Sequence, residues 1–314
     1  FRHVYGPVPS RRLGRSLGVD LVPFKVCTYD CVYCQLGRTT EKTLARKEYV
    51  PTAEVVEEIG RKLSSCRRPD YISIAGSGEP TLHTGIGDVI DFIKRESDVP
   101  VAVITNGSLL WMPEVSRALM AADLVIPSLD AGDEKLFRKV NRPHPEISFE
   151  RMFDGIASFT KEFKGEVWLE VFLLGGISGV IPEVKKIASL VERIAPARVQ
   201  LNTVARPTAE DCAAAVTREE MENLARFIPG KVEIVSEAAG CDSLPPSGGP
   251  SAEAEIVELL KRRPCTVEGI ALGLGMSPNE ALKLVDDLMS RGEVVSGRVG
   301  SELFYSTGEG REKK

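Results

Sequence analysis

The sequence has no apolar run approaching the roughly 18 residues that a membrane-spanning helix needs. Phe1-Arg2-His3 opens neither the apolar stretch nor the small-residue cleavage pattern of a secretory signal. A cytoplasmic protein with no membrane partner is the expectation. Strong charge of either sign is also missing: 40 Lys+Arg against 45 Asp+Glu leaves a net charge of −5. That balance argues against a chain that coats nucleic acid or an anionic surface by bulk charge. Cysteine is too thin for a disulfide scaffold, with an odd count of 7 in 314 residues. What is present is apolar material, 43% of the chain, enough for one sizeable core and a small second one.

Short β-branched apolar runs alternate with longer helical stretches, the order of an α/β fold. Strands are expected at residues 18–21, 71–75, 101–105, 124–129, 167–174 and 198–201, with a weaker one at 232–235. Pro51-Thr52 opens a helix running to about residue 65, Ser148 caps another, and Pro182 sits in the first turn of a third. Thr217 and Glu220 have the spacing of a capping box. Six strands, each followed by a helix, predict an open or partial (β/α)6 barrel of TIM type. Reactive groups then belong on the loops after the C-terminal strand ends.

Residues 240–251 are dominated by Pro, Gly and Ser and read as a linker. The expected division is a barrel domain at 1–239, a small domain at 252–307 and a polar tail at 308–314. The small domain carries helices at about 252–263, 266–274 and 277–291, then short strands at 293–296 and 302–306. Three helices and a hairpin are the order of a winged helix. Its third helix sets Glu280, Asp286 and Asp287 against Lys283 and Arg291, a poor face for phosphate. DNA is therefore disfavoured as a partner, and protein interaction, dimerisation or peptide binding is expected of this module.

The first expected strand is followed by Cys27, Cys31 and Cys34, a C-x3-C-x2-C loop. Three soft thiolates on one short loop can bind three irons of a [4Fe–4S] cube and leave the fourth open to a substrate or cofactor. Zinc is the competing reading, and it needs a further ligand such as His83 or Cys66.

The loop, with Tyr33 just before its last cysteine, resembles the signature of the radical S-adenosylmethionine (SAM) superfamily. Gly76-Ser77-Gly78-Glu79, after the second strand, is similar to the Gly-Gly-Glu-type loop that receives the amino group of SAM there. The resemblance implies glycines that let backbone approach the ligand and a Glu79 carboxylate that accepts from its ammonium. It also implies that Asn106, Ser128 and Asp130, at the next two strand ends, hold ribose hydroxyls and carboxylate. Glu170, inside an apolar strand, is expensive unless paired, so it faces either the bound cofactor or a nearby arginine. Asn202 ends the sixth strand at the same mouth, where Leu201 and Val204 offer apolar contact to adenine.

Residues 5–18, 77–83 and 200–207 are further similar to a group of wyosine-synthase-like Fe–S oxidoreductases. The chemistry the resemblance implies starts with SAM chelating the open iron. An external donor of ferredoxin or flavodoxin class supplies an electron, and a 5′-deoxyadenosyl radical abstracts hydrogen from an unidentified substrate. Such a centre is oxygen-sensitive. A tRNA base-modifying enzyme of wyosine-synthase type is one alternative, and a DNA-binding regulator sensing redox state or SAM is another. The first fifty residues carry nine Lys+Arg against four acids. Arg11, Arg12 and Arg15, with Arg206, are therefore candidate contacts for a small-molecule, peptide or nucleotide-bearing substrate, the alternative being that they pair with the barrel's acids. Cys212, Cys241 and Cys265 are too scattered to specify a second cluster. Cys241, in the linker, is either a hydrogen-atom donor, an auxiliary-cluster ligand or a plain loop thiol.

Overall fold

The computed structural model describes residues 1–66, 68–235, 252–262, 264–274, 276–299 and 302–307. The chain opens with an antiparallel hairpin, β1 (Val4–Ser10) and β2 (Gly14–Val19). A two-residue pair, β3 (Val26–Cys27) and β4 (Glu41–Lys42), brackets the cysteine loop. Alternation follows: α1 (Thr52–Ser65), β5 (Tyr71–Ile74), α2 (Ile86–Glu96), β6 (Val101–Thr105), α3 (Pro113–Leu119), β7 (Leu124–Pro127), α4 (Glu134–Val140), α5 (Phe149–Glu162), β8 (Glu166–Leu173), α6 (Ile181–Ile194), β9 (Arg198–Thr203), α7 (Arg218–Ala225) and β10 (Val232–Ile234). Among the described residues these strands make one sheet in the order β1-β2-β5-β6-β7-β8-β9-β10. Every neighbouring pair from β2 onward is parallel. The fold is α/β with a parallel sheet.

The first parallel strand begins at Gly14 rather than at residue 18, and the prediction lacks β1 altogether. Pro7 and Pro9 hid it, because proline is excluded from central strands yet tolerated on an antiparallel edge such as this one. The weakest expectation, now β10, pairs with β9 over three residues. The helix starts follow their caps. The Ser148 hydroxyl accepts from the Arg151 amide at 3.3 Å, and Thr217 and Glu220 satisfy each other's amides at 2.9 and 3.3 Å.

Alternation along the strands sorts side chains into two cores. Ile72, Ile74, Val101, Val103, Val125, Leu169, Val171 and Leu201 face the helices and are fully buried. Ala102, Leu124, Ile126 and Trp168 face the other way and enclose Leu13, from the β1–β2 turn. Next to Leu13, Arg12 reaches Glu170 of β8 at 2.9 Å. In a flat sheet β2 and β8 would lie four strand spacings apart, roughly 19 Å at the usual ~4.8 Å each. An arginine cannot cover that distance, so the sheet curls and the turn folds into its hollow. This curvature is consistent with a partial barrel.

The C-terminal elements are α8 (Ala252–Arg262), α9 (Val267–Leu274), α10 (Pro278–Ser290) and the antiparallel pair β11 (Val294–Val299) and β12 (Glu302–Thr307). They bury a core of their own, including Ile256, Ile270, Val285, Leu288 and Tyr305, and Val8 of β1 packs against it. The expected linker lies entirely outside the described residues, as do Cys241 and the tail from residue 308. Among the described residues no helix is long and apolar enough to cross a membrane.

The start of β1 is fastened by Glu58 of α1, whose carboxylate accepts from the amides of Arg2 and His3 at 2.9 Å and of Val4 at 3.1 Å. Burial pushes its pKa up, but the three amides outweigh burial and hold it below the usual value. Glu58→Gln is expected to cost about 1–3 kcal/mol in urea unfolding at neutral pH. The wild-type contribution is present above the unfolded pKa and lost as pH falls through the lower folded one, so the two proteins converge in acid. Parallel stability curves from pH 7 to pH 3 would refute this assignment.

Candidate metal and cofactor site

Cys27 leaves β3 and Cys31 and Cys34 follow on the loop; all three thiols are half-buried. Backbone bonds from Val32 to Val140 (2.9 Å) and from Asp30 to Asn141 (3.1 Å) pin the loop to the end of α4. Each sulfur meets a side-chain N–H donor, and Cys27 a backbone amide, that of Tyr29, as well. The Lys25 ammonium lies 3.0 Å from Cys34, Asn106 Nδ2 3.6 Å from Cys27, and Asn141 Nδ2 3.6 Å from Cys31. Burial, then Glu79 nearby, pushes Cys27 up to about 12, and burial with the other two thiols pushes Cys31 well above its ordinary value. Burial lowers Lys25, but the thiols, Cys34 foremost, raise it overall. Deprotonating three thiols so close together demands countercharge, which iron would supply.

Among the described residues no three His, Cys, Asp or Glu side chains converge tightly enough to hold a single metal ion. A cube needs no such convergence, because it spreads its ligands over separate corners. Nor can His83 complete a zinc site: one ring nitrogen meets the Val50 carbonyl at 2.8 Å and the other accepts from the Gly85 amide at 3.0 Å. The donor set, three thiols each met by an N–H group, fits an iron–sulfur cube with one open iron.

Lys25 carries a left-handed backbone, φ 60°. Such a conformation costs a side-chain-bearing residue on the order of 1–3 kcal/mol. It is held there by its amide, which donates to the Ser77 carbonyl at 2.7 Å, and by its own carbonyl, which accepts from Thr40 at 3.2 Å.

Beside the cysteines lies a cavity of about 360 Å³, lined among others by Tyr33, Cys34, Gly76, Ser77, Ser128, Glu170, Phe172, Asn202, Arg11, Arg12 and Arg206. Its floor is the Arg12–Glu170 pair, with Asn202 donating to Glu170 at 2.9 Å. Burial raises Glu170, but Arg12 and then Asn202 outweigh it and hold the carboxyl below its usual value. Of the two sequence alternatives for Glu170 the structure shows the arginine pair, formed on the wall of the cavity. Arg206 donates to Gln35 across the mouth at 3.3 Å. Arg15 is not in this gathering; its guanidinium donates to the Arg68 carbonyl at 2.8 Å on the exposed side of the sheet. Leu201 is buried toward the helices, and Val204 packs against the same core.

Glu79 is held by internal donors. Its carboxylate accepts from the Thr81 amide (3.1 Å), the Thr81 and Thr105 hydroxyls (2.6 Å each) and the Asn106 amide (2.8 Å), and it does not line the cavity. Four internal donors leave little acceptor capacity for a ligand's ammonium; the side chain ties the second and third parallel strand ends together. The glycines serve close packing as well. A Cβ on Gly78 would sit 1.8 Å from the Val26 carbonyl oxygen, and one on Gly76 (φ 126°) 2.6 Å from the Asp20 carboxyl carbon.

Asp130 is likewise internal. Tyr33 donates its hydroxyl to it, Asn141 its side-chain amide at 2.7 Å and Phe172 its backbone amide at 2.9 Å. Burial pushes this carboxyl up to about 6 against those three donors. The Tyr33 ring stacks on Phe172 with centroids 4.1 Å apart. Asp20, Lys25 and Asn141 were missed by sequence reasoning. Asp20 ends the first parallel strand, accepts from the Ser77 amide and hydroxyl and lines the cavity; the strand-end argument that selected Asp130 selects it too. Of the remaining cysteines, Cys212 is exposed, and Cys265 is buried in the C-terminal core, bonded through its backbone to Tyr305.

The site and the fold together define a class of enzyme. The chain belongs to the radical SAM superfamily, whose sequence model matches residues 21–191. Members bind a [4Fe–4S] cluster and SAM, and a solved structure of the fold holds SAM. Within that class the chain belongs with the UPF0026 proteins: one from Methanocaldococcus jannaschii is 30% identical over 96% of this chain and 94% of its own length. A protein named GTPase Obg from Brachyspira hyodysenteriae is 39% identical over 97% of this chain, which spans 45% of that relative. By fold, a radical SAM methyltransferase from Sphaerobacter thermophilus matches with a TM-score of 0.51 at 17% identity, over 70% of this chain and 66% of that one.

Removing Glu170 leaves Arg12 buried without its counterion. Glu170→Ala is expected to destabilise the protein by about 3–5 kcal/mol, and adding Arg12→Met to recover part of the loss. Purely additive costs in a urea double-mutant cycle would show that the pair is not coupled.

Proposed function

We propose that this enzyme cleaves SAM reductively at a [4Fe–4S] cluster held by Cys27, Cys31 and Cys34 and abstracts hydrogen from a substrate in the adjoining cavity. The observation that carries the reading is the meeting of the cysteine loop with polar strand ends in one cavity, where Cys34, Ser77, Ser128 and Asn202 share a surface. When bound, cluster and SAM supply one-electron bond cleavage and hydrogen abstraction. The protein's own part is to hold and exclude. Ser77, Ser128 and Asn202 offer hydrogen bonds to SAM, the stacked Tyr33 and Phe172 form an apolar wall, and the Arg12–Glu170 pair closes the floor against water. The backbone of residues 76–78 is the part of the glycine loop left for SAM, since Glu79 is spent internally. An external donor of ferredoxin or flavodoxin class delivers the electron.

Arg11 and Arg206 at the mouth suit an anionic substrate, a phosphate- or carboxylate-bearing small molecule, peptide or nucleotide. The barrel domain, whose last described strand is β10, is followed from Ala252 by a winged-helix-like module. Leu259 of α8 lines the cavity, and Val8 of β1 joins the module's core, which supports a role facing substrate or protein rather than DNA. Wyosine-type modification of tRNA stays within the same chemistry, and nucleosides of tRNA from a deletion strain and its parent compare it directly.

Anaerobically reconstituted protein supplied with SAM and dithionite is expected to release 5′-deoxyadenosine, and Cys31→Ala to lose both iron and cleavage. Protein that takes up no iron, or that carries a full cluster and leaves SAM intact, would overturn the reading. In a gel shift against genomic fragments the same holoprotein is expected to retain none of them; a specific retained fragment would restore the regulator.

A further inference from the structure

The three sulfurs are served unequally. Asn106 and Asn141 bring neutral amides to Cys27 and Cys31 at 3.6 Å, whereas Lys25 brings a full charge to Cys34 at 3.0 Å. Lys25 as a whole is 3% exposed, so water screens its charge little. Its position is built: the backbone enters the left-handed region at Lys25, tied to the glycine loop by the Ser77 carbonyl at 2.7 Å, and the side chain turns back onto the cysteine loop. Cys34 alone of the three cysteines lines the cavity, so the charge sits beside the one cysteine ligand that borders it.

A fixed cation beside one ligand of an iron–sulfur cube favours the reduced, more negative state, and hydrogen bonds to the sulfurs act in the same sense. We propose that Lys25 is a positioning residue that raises the reduction potential of the cluster, easing the one-electron step from [4Fe–4S]2+ to [4Fe–4S]1+ by a low-potential external donor. No proton or bond accompanies that step; one electron passes from donor to cluster. Lys25 touches a ligand rather than SAM or substrate, so its effect is on how readily the cluster is charged. The inference rests on the three-cysteine cluster proposed above.

The test is an EPR-monitored redox titration of the reconstituted holoprotein, wild type against Lys25→Met, Lys25→Gln and Lys25→Arg, each with iron and sulfide counted. Both neutral variants are expected to make reduction harder by at least a factor of ten in the equilibrium constant, a negative shift of about 59 mV for one electron. Lys25→Arg, which keeps the charge, is expected to stay close to wild type, a rescue that a packing role would not produce. Neutral variants with full clusters and wild-type potentials overturn the proposal. Loss of the cluster from both neutral variants also overturns it, by assigning Lys25 to assembly. Wild-type protein that holds no cluster sinks the underlying reading instead, and the two failures are told apart by the wild-type iron count.

Discussion

The ion pair between Arg12 and Glu170 is the constraint on which the rest of the site depends. It joins the first hairpin to β8 through the hollow of the sheet, and it does so where neither charge can be left alone. Because Arg12 is committed to this bond, Leu13 beside it is carried down among Ala102, Leu124, Ile126 and Trp168, sealing the hollow below. Above the pair the hollow stays open and becomes the cavity. One turn of chain thus supplies both an apolar plug and the charged pair beside the cavity. Hydrophobic side chains of similar volume would pack there about as well, so the use of a charged pair points to register and placement rather than to gross stability.

Buried carboxylates recur around the chamber with a common logic. Asp20, Glu79, Asp130 and Glu170 each end or occupy a parallel strand, and each is met by donors from a different segment: Ser77, Thr105 and Asn106, Tyr33 and Asn141, Arg12 and Asn202. Acids at strand ends are commonly taken for ligand contacts. Here they hold loops of distant sequence together, Glu79 and Asp130 away from the cavity and Asp20 and Glu170 on its wall beside the hydroxyls and amides. The thiol loop is fixed from outside by the same network, through Asn141 and Asn106.

Much of this was legible in the residues. Short β-branched apolar runs located every parallel strand of the main sheet, and capping chemistry at Ser148 and Thr217 located helix starts. The C-x3-C-x2-C loop located the site because soft ligands at short spacing have few other uses. What could not be read depends on tertiary placement. β1 was hidden by prolines that an edge strand accepts. Asn141 meets Cys31 across 110 residues of chain, and nothing local at α4 announces it. Lys25 looked like one of many surface cations, since a left-handed lysine leaves no periodic trace. Glu79 was legible as important, but its bonds to Thr105 and Asn106 were not, because those donors sit one strand over.

Gly78 leaves 1.8 Å between the Val26 carbonyl oxygen and any carbon placed on its face. Every amino acid reachable from a glycine codon by one base change carries such a carbon, so this position has no neighbour in the genetic code that keeps the glycine loop against the cysteine loop. Drift in this lineage can reshape the chamber through its floor, its mouth or the C-terminal wall. The seam between those two loops is closed to it, and descendants of this chain inherit that spacing whatever substrate they come to use.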